Sequence, residues 1–248
     1  MNNAKITVIT PCLNSRETIS DTLESVLRQT YQNYEYLIAD GGSTDGTIQI
    51  LKEYETAFGG KMVWHSQKDK GIANGWNKAA KKATGDLVVF LGSDDQLEET
   101  AFERIVEVYD PSKPLAVYYG MMRTIKDGRE TGCVMVHHSE LPERMICFPS
   151  SYITRAAAEK FGYMDERYKI ASDYSLLLKL YVSGEVEFIP VYHILSRFSL
   201  GGISSRPSIS PVEKAKIQYE NGIITKKMCR KRIFKYYLKT FCKKVIPF

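Results

Sequence analysis

Residues 5–46 read KITVITPCLNSRETISDTLESVLRQTYQNYEYLIADGGSTDG, and this stretch decides the fold. KITVIT at 5–10 is a short β-branched run that stops at Pro11. Ile19, Leu23, Val26 and Leu27 then recur at helical spacing on one face. Asn14, with Glu17 three positions on, has the form of a capping box and predicts a helix starting beside it. A second apolar run, YEYLIAD at 34–40, ends in the turn-rich GGSTDG at 41–46. A strand, a helix and a second strand in succession predict parallel pairing, because the helix carries the chain back to the starting edge.

Outward from that unit the alternation continues. A helical stretch runs to about residue 58, KMVWHS at 61–66 is a third strand, a helix spans 72–82, and DLVVFL at 86–91 is a fourth strand. The expected fold class is α/β, a mostly parallel central sheet with helices on both faces. After Asp95 the pattern loosens. A helix over 98–109 precedes two extended segments joined by Asp127-Gly128, a hairpin signal. Helices over 155–161 and 173–183 follow, then strand-like VEFIP at 186–190 and VYHILSRF at 191–198. There is no internal repeat and no low-complexity linker. Residues 96–205 therefore read as a second half packed on residues 1–95, followed by a helical tail over 206–248.

Composition narrows the possibilities. The 248 residues are 44% hydrophobic and 25% charged, an ordinary globular balance. The first apolar run is too short for a signal peptide and no stretch approaches a membrane span, so a cytoplasmic location is expected. Five cysteines without a C-x-x-C pair argue for reduced structural thiols over a sulfur metal site or disulfides. The net charge of +5 comes from the tail, where residues 226–248 hold nine Lys or Arg and no Asp or Glu. The rest of the chain is net acidic, so no nucleic-acid partner is expected. On a helical wheel Phe234, Leu238, Phe241 and Val245 share one face of the tail, with Tyr237 beside them. Lys231, Lys235, Lys239 and Lys243 occupy its flank and back. Such a helix suits an anionic membrane surface, or it packs its apolar stripe on the domain; both remain open.

In an open parallel sheet, ligands bind beyond the carboxyl ends of the strands. Those ends carry Thr10-Pro11, Asp40, Asp69-Lys70-Gly71 and Ser93-Asp94-Asp95. Carboxylates there can accept hydrogen bonds from a base or a ribose and hold a divalent ion against a pyrophosphate. Taken singly, GGSTDG is an ordinary turn and Asp94-Asp95 an ordinary N-cap. Their joint placement favours a nucleotide. Neither G-x-G-x-x-G after the first strand nor G-x-x-x-x-G-K-[ST] occurs, which argues against a dinucleotide-dependent dehydrogenase and a P-loop NTPase.

Three blocks, ITVITPCLNSRETISDTLESVLRQTYQNYEYLIADGGSTDGT, DKGIANGWNKAAKKATGDLVVFLGSDD and FGYMDERYKIASDYSLLLKL, with a weaker match at GGIS (201–204), resemble the family 2 glycosyltransferases of GT-A fold. The resemblance implies an inverting, non-processive transfer of one sugar from a nucleoside diphosphate-sugar, UDP-linked by default. The acceptor would be a saccharide or lipid-linked saccharide hydroxyl in surface polysaccharide assembly. It implies that Thr10 and Pro11 border the base and Asp40 accepts a hydrogen bond from it. Asn14, Lys70, Gly71 and Asn74 would lie at the nucleotide, with Asn77 below them. Asp94 would face the ribose or pyrophosphate, Asp95 would ligate Mn²⁺ or Mg²⁺, and Asp173 would be the general base. Asp165 matches an acidic position of the third block, and His193 is a conceivable further metal ligand. Two features depart from the pattern: CFPSSY (147–152) stands where many relatives have a His-Gln pair, and the processive Q-x-x-R-W signature is absent. Two other readings share parts of this chemistry. A sugar nucleotidyltransferase would want a glycine-rich loop after the first strand, and a catalytically inactive binding relative would lack some of the carboxylates.

Overall fold

The computed structural model describes residues 3–200 and 211–245, so GGIS at 201–204 lies outside the described residues. Four parallel strands form the first half: β1 (Ile6–Cys12), β2 (Tyr34–Asp40), β3 (Met62–Ser66) and β4 (Leu87–Phe90), in the order β3-β2-β1-β4. Helices α1 (Ile19–Leu27), α2 (Thr47–Glu55) and α3 (Ile72–Ala80) make the crossovers between them. Alternation along β1 sends Ile6 and Val8 to one face and Ile9 to the other, and both faces are dry. Ile6 and Val8 join Leu23, Val26 and Leu51 in one core, while Ile9 joins Trp76, Ala79 and Phe90 in a second.

Beyond β4 the sheet becomes mixed. β8 (Ser151–Thr154) runs antiparallel between β4 and β6 (Ala116–Lys126), which pairs in parallel with β9 (Glu187–Ser199). β6 also forms the expected hairpin with β7 (Arg129–Val134), and its turn puts Asp127 at φ 50° and Gly128 at φ 73°, the mirror-image turn that suits strand twist. A two-residue strand, β5 (Gln96–Leu97), closes the far edge against β9. Helices α4 (Ala101–Val108), α5 (Arg155–Phe161), α6 (Ser172–Val182), α7 (Pro211–Glu220) and α8 (Lys226–Val245) complete the fold.

Two local expectations fail for identifiable reasons. α1 begins at Ile19 behind Thr18, without a side-chain cap. Asn14 takes φ 51° and spends its side chain on a distant partner, accepting the Thr44 N–H at 2.9 Å, so there is no capping box. The segments over 186–198 form one continuous strand, not two. Pro190 is tolerated inside it because β5 pairs only with Ser196 and Arg197, leaving the earlier residues of β9 on the sheet edge.

Candidate active site

Asp40 closes β2 and is buried at 2% exposure. Its Oδ2 accepts the backbone N–H groups of Gly42 (3.0 Å) and Ser43 (2.9 Å) and the Ser66 hydroxyl (2.5 Å). Its Oδ1 accepts the Ser43 hydroxyl and, at 3.6 Å, the Cys12 thiol. Burial alone would push this carboxyl up, but the hydrogen bonds outweigh it and hold the group below its ordinary value. Asp40 thus pins the turn after β2 to the end of β3. Thr10 is likewise turned inward, its buried hydroxyl accepting from Tyr36 at 2.9 Å.

The loop after β1 is tied to both neighbouring strand ends. Asn14 N–H donates to Ser43 Oγ at 2.7 Å, and the Ser15 and Ser93 hydroxyls meet at 2.8 Å. In the turn after β2, Asp45 Oδ1 accepts from Thr47 N–H at 3.0 Å. A cavity of about 520 Å³ opens here between Asn14, Ser15, Arg16, Glu17 and Asp45. It abuts the strand-end cluster through Ser15 but is not lined by Asp95 or Asp173.

Gly41 and Gly75 let Asp69 in. A Cβ at Gly41 would lie 2.8 Å from Asp69 Oδ2, and one at Gly75 would lie 3.3 Å from both that oxygen and Pro11 Cβ. Asp69 Oδ1 accepts from Gly71 N–H at 2.9 Å, where Gly71 takes φ 124°, and Lys70 beside it is exposed. On α3, Asn74 and Asn77 donate to the two oxygens of Glu166 at 3.0 and 2.9 Å, and Asn77 exchanges bonds with the Met164 backbone. The parallel half of the sheet, through α3, thereby grips the loop that leads to α6.

Asp94 and Asp95 follow β4. Neither caps a helix, since α4 starts behind Thr100. Asp95 is buried at 5% exposure, and its Oδ1 has a long 3.4 Å contact from Ser199 N–H at the end of β9. That strand end is fixed by Glu98, which takes Arg123 at 2.9 Å and Arg197 at 3.1 Å. Burial raises the Asp95 carboxyl well above its ordinary value and the neighbouring Asp94 charge adds to this; burial raises Asp94 as well. A Cβ at Gly92 would meet Asp95 Oδ2 at 2.8 Å and Asp94 Oδ1 at 2.9 Å, so the pair packs directly on bare backbone. Two carboxylates driven toward protonation, with no cation beside them among the described residues, are the hard oxygen donors that Mn²⁺ or Mg²⁺ selects. The residues fit such an ion. No group of three or more His, Cys, Asp or Glu that could hold a metal occurs among the described residues, so the pair would supply protein oxygens and leave other positions to phosphate and water. His193 is exposed on β9 and belongs to no such group.

Asp173 is the second residue of α6, so it is not the N-cap; that position is Ala171. Its Oδ1 accepts the Tyr174 N–H at 2.7 Å. Burial raises its carboxyl to about 7, with a smaller contribution from Glu213 against the pull of the backbone N–H groups. The Tyr174 hydroxyl anchors the helix on the Leu141 carbonyl at 3.0 Å. Asp165, by contrast, is paired with Arg167 at 2.7 Å, and Arg167 in turn with Glu220 at 2.9 Å, a surface ion network.

Hydrogen bonds and close packing therefore join the ends of β1 to β4, α3 and the end of β9 into one edge holding Pro11, Asn14, Asp40, Gly71, Asn74, Asp94 and Asp95. Asp173 lies seven residues along the chain from Glu166, which α3 holds, and its carboxylate makes no hydrogen bond to that edge among the described residues. Sequence reasoning missed Gly92, Ser199, Glu166 and Glu213. Only Gly92, next to the acidic pair, carried a local signal.

The family model described as Glycosyl transferase family 2 matches residues 7–160. A PGL/p-HBAD biosynthesis glycosyltransferase of Mycobacterium bovis is 25% identical over 200 residues, covering 80% of this chain and 78% of that protein. Chondroitin synthase of Escherichia coli is 30% identical over 240 residues, covering 93% of this chain and 34% of its own length. Among solved structures, S. aureus TarS 1–349 in complex with UDP-GlcNAc superposes with a TM-score of 0.70 at 19% identity, covering 94% of this chain and 71% of that one. The fold is GT-A, and the chain belongs to glycosyl transferase family 2.

Proposed function

We propose that this family 2 glycosyltransferase is an inverting enzyme that moves one sugar from a nucleoside diphosphate-sugar, a UDP-sugar by default, to an acceptor hydroxyl. The observation that carries the reading is the sequestered Asp94–Asp95 pair on the carboxyl edge of a parallel sheet, an arrangement that a cation and a diphosphate would neutralise. Asp95 is the metal ligand and Asp94 faces the ribose or pyrophosphate. When bound, Mn²⁺ or Mg²⁺ would supply Lewis-acid stabilisation of the negative charge that develops on the leaving diphosphate. Thr10, buried with its hydroxyl on Tyr36, backs Pro11 in the wall beside the base. A base N–H reaches Asp40 by displacing the Ser43 or Ser66 hydroxyl from it. Asn14, Lys70, Gly71 and Asn74 frame the remaining nucleotide.

Asp173 is the base. As the acceptor oxygen bonds to the anomeric carbon, the carbon–phosphate oxygen bond breaks on the opposite side and the acceptor proton passes to Asp173. A single displacement of this kind inverts the anomeric centre. A carboxyl held near 7 is well matched to that transfer at neutral pH, because the driving force grows with basicity while the group stays largely ionised just above its pKa. Residues 1–95 act as the nucleotide half, 96–205 as the acceptor and catalytic half, and 206–248 as the tail.

The acceptor is a saccharide or lipid-linked saccharide of surface polysaccharide synthesis, which the names of the mycobacterial and chondroitin relatives support. α8 suits such an acceptor. Cys229 and Ile233 pack toward α7, whereas Phe234, Tyr237 and Leu238 stand 69%, 59% and 52% exposed among lysines. An anionic lipid surface fits that face by both charge and apolar area.

The direct test is thermal stabilisation by UDP, GDP and their sugars, with and without Mn²⁺. UDP at about 100 times its Kd should add about 2.7 kcal/mol in the presence of Mn²⁺. Asp95→Ala should abolish this gain. Equal stabilisation with and without Mn²⁺ would refute the metal role.

A further inference from the structure

The loop before α6 presents three consecutive backbone donors to one side chain. Glu213, in the first turn of α7, accepts Lys169 N–H on Oε1 at 3.1 Å, and Ile170 and Ala171 N–H on Oε2 at 3.1 and 2.9 Å. Successive N–H groups converging on a carboxylate form an anion nest, filled here from a residue more than forty positions away. The nest ends at Ala171, the N-cap of α6, and Asp173 is two residues further on. A carboxylate at this point also faces the positive end of the helix dipole.

Glu213 is itself held firmly. Ile217 is fully buried in the core that contains Tyr174 and Leu177. Gln218 donates to the Pro142 carbonyl at 2.5 Å, and Lys214 donates to the Glu143 carbonyl. Leu141 and Pro142 are the carbonyls that receive the Tyr174 hydroxyl. α7 and α6 therefore grip the same segment from two sides, and Glu213 closes the ring at the residue that precedes the α6 N-terminus.

We infer that Glu213 is a positioning residue for the transfer reaction, fixing the loop–helix junction that aims Asp173 at the acceptor hydroxyl. The inference rests on Asp173 being the base. Geometry of this kind is expressed in turnover: a displacement of the base by about 1 Å costs on the order of 100-fold in rate. Donor binding rests on the ends of β1 to β4, and Asn74 and Asn77 hold their end of the loop separately through Glu166, so it should be untouched.

The variants grade the effect. Glu213→Ala empties the nest. Glu213→Gln keeps one oxygen for Ile170 and Ala171 and loses the bond from Lys169. In the full chain with Mn²⁺ and its sugar nucleotide, kcat should fall roughly 10- to 100-fold in Glu213→Ala. Glu213→Gln should lie between that and wild type, and KM for the donor and UDP affinity should stay within about twofold in both. Asp173→Asn is assayed in parallel. If it remains active, the base assignment fails and the inference falls with it. If it is inactive while both Glu213 variants turn over like wild type, the positioning role alone is overturned. A parallel loss of kcat, UDP affinity and melting temperature would reduce Glu213 to a structural tether and overturn it too. Should Glu213→Ala not fold, the Glu213→Gln split between kcat and KM decides.

Discussion

Replacing Asp173 by Asn should stabilise the protein while abolishing transfer, and the stabilisation should depend on pH in a defined way. The carboxyl lies at about 7 in the folded chain against an ordinary 3.8, because burial disfavours its charged form. For a group raised on folding, the native state binds the extra proton, so its favourable contribution is complete below about 3.8 and is lost as pH climbs through about 7. Between pH 5 and pH 7 the native carboxyl is protonated and the unfolded one ionised, so each pH unit costs wild type about 1.36 kcal/mol. Asn carries no such charge and keeps an oxygen for the Tyr174 N–H. The advantage of Asp173→Asn should therefore grow by up to about 2.7 kcal/mol from pH 5 to pH 7, then level off. Because the side chain is only partly buried by area, a smaller gain is expected in practice. At roughly 2–4 °C per kcal/mol, the full gain corresponds to a melting-temperature difference widening by about 5–10 °C. Calorimetry of both proteins from pH 5 to 8, beside an assay of transfer, measures both halves of the claim. A difference that stays flat across that range would show that Asp173 titrates as an ordinary exposed carboxyl, and the reasoning about the base would fail.

Gly92→Ala should drive a methyl group into the two acidic side chains, since its Cβ would sit 2.8 Å from Asp95 Oδ2. Calorimetric titration should show UDP affinity in Mn²⁺ falling at least about tenfold, near 1.4 kcal/mol, with secondary structure unchanged by circular dichroism. Unchanged affinity would remove the pair from the donor site. Replacing Phe234 and Leu238 together by Glu leaves Cys229 and Ile233 packed and should abolish flotation with phosphatidylglycerol vesicles. Wild type should float at low salt and less at high salt, as each basic residue near the surface contributes about 1 kcal/mol before screening. Equal flotation of the two proteins would exclude α8 as the contact.

The parallel half of the sheet was readable because its signals are local. Ile6, Val8 and Ile9 alternate, Ile19, Leu23 and Val26 keep a helical period, and the crossovers force parallel pairing. Asn14 failed as a cap because Thr44, thirty residues away, offered its side chain a better partner. Strand β8 was invisible to periodicity, being four fully buried residues between a proline-containing turn and a helix. The acidic pair was legible from its place after the fourth strand, whereas Asp173 stood out only through resemblance to a family pattern. The groups that complete them, Ser199 beside Asp95 and Glu213 before α6, sit 104 and 42 residues from their partners and are polar residues of common types. Nothing in a linear pattern marks such a pairing. The tail was readable as a helix, but its one apolar face suited either a membrane or the domain, and only packing shows that Ile233 turns toward α7 and Phe234 outward.

The irregular course of β9 has a bearing on solubility. Its first half runs along the sheet margin, where a regular strand would offer a row of unpaired amides to any other chain. Pro190 has no amide hydrogen to offer, and the pairing with β6 jumps from Tyr119–Pro190 to Met121–Ile194, so the residues between fall out of phase with any straight strand laid beside them. Exposed Tyr192 on that stretch is thereby kept from seeding intermolecular β-pairing, and straightening the margin would create an aggregation-prone surface.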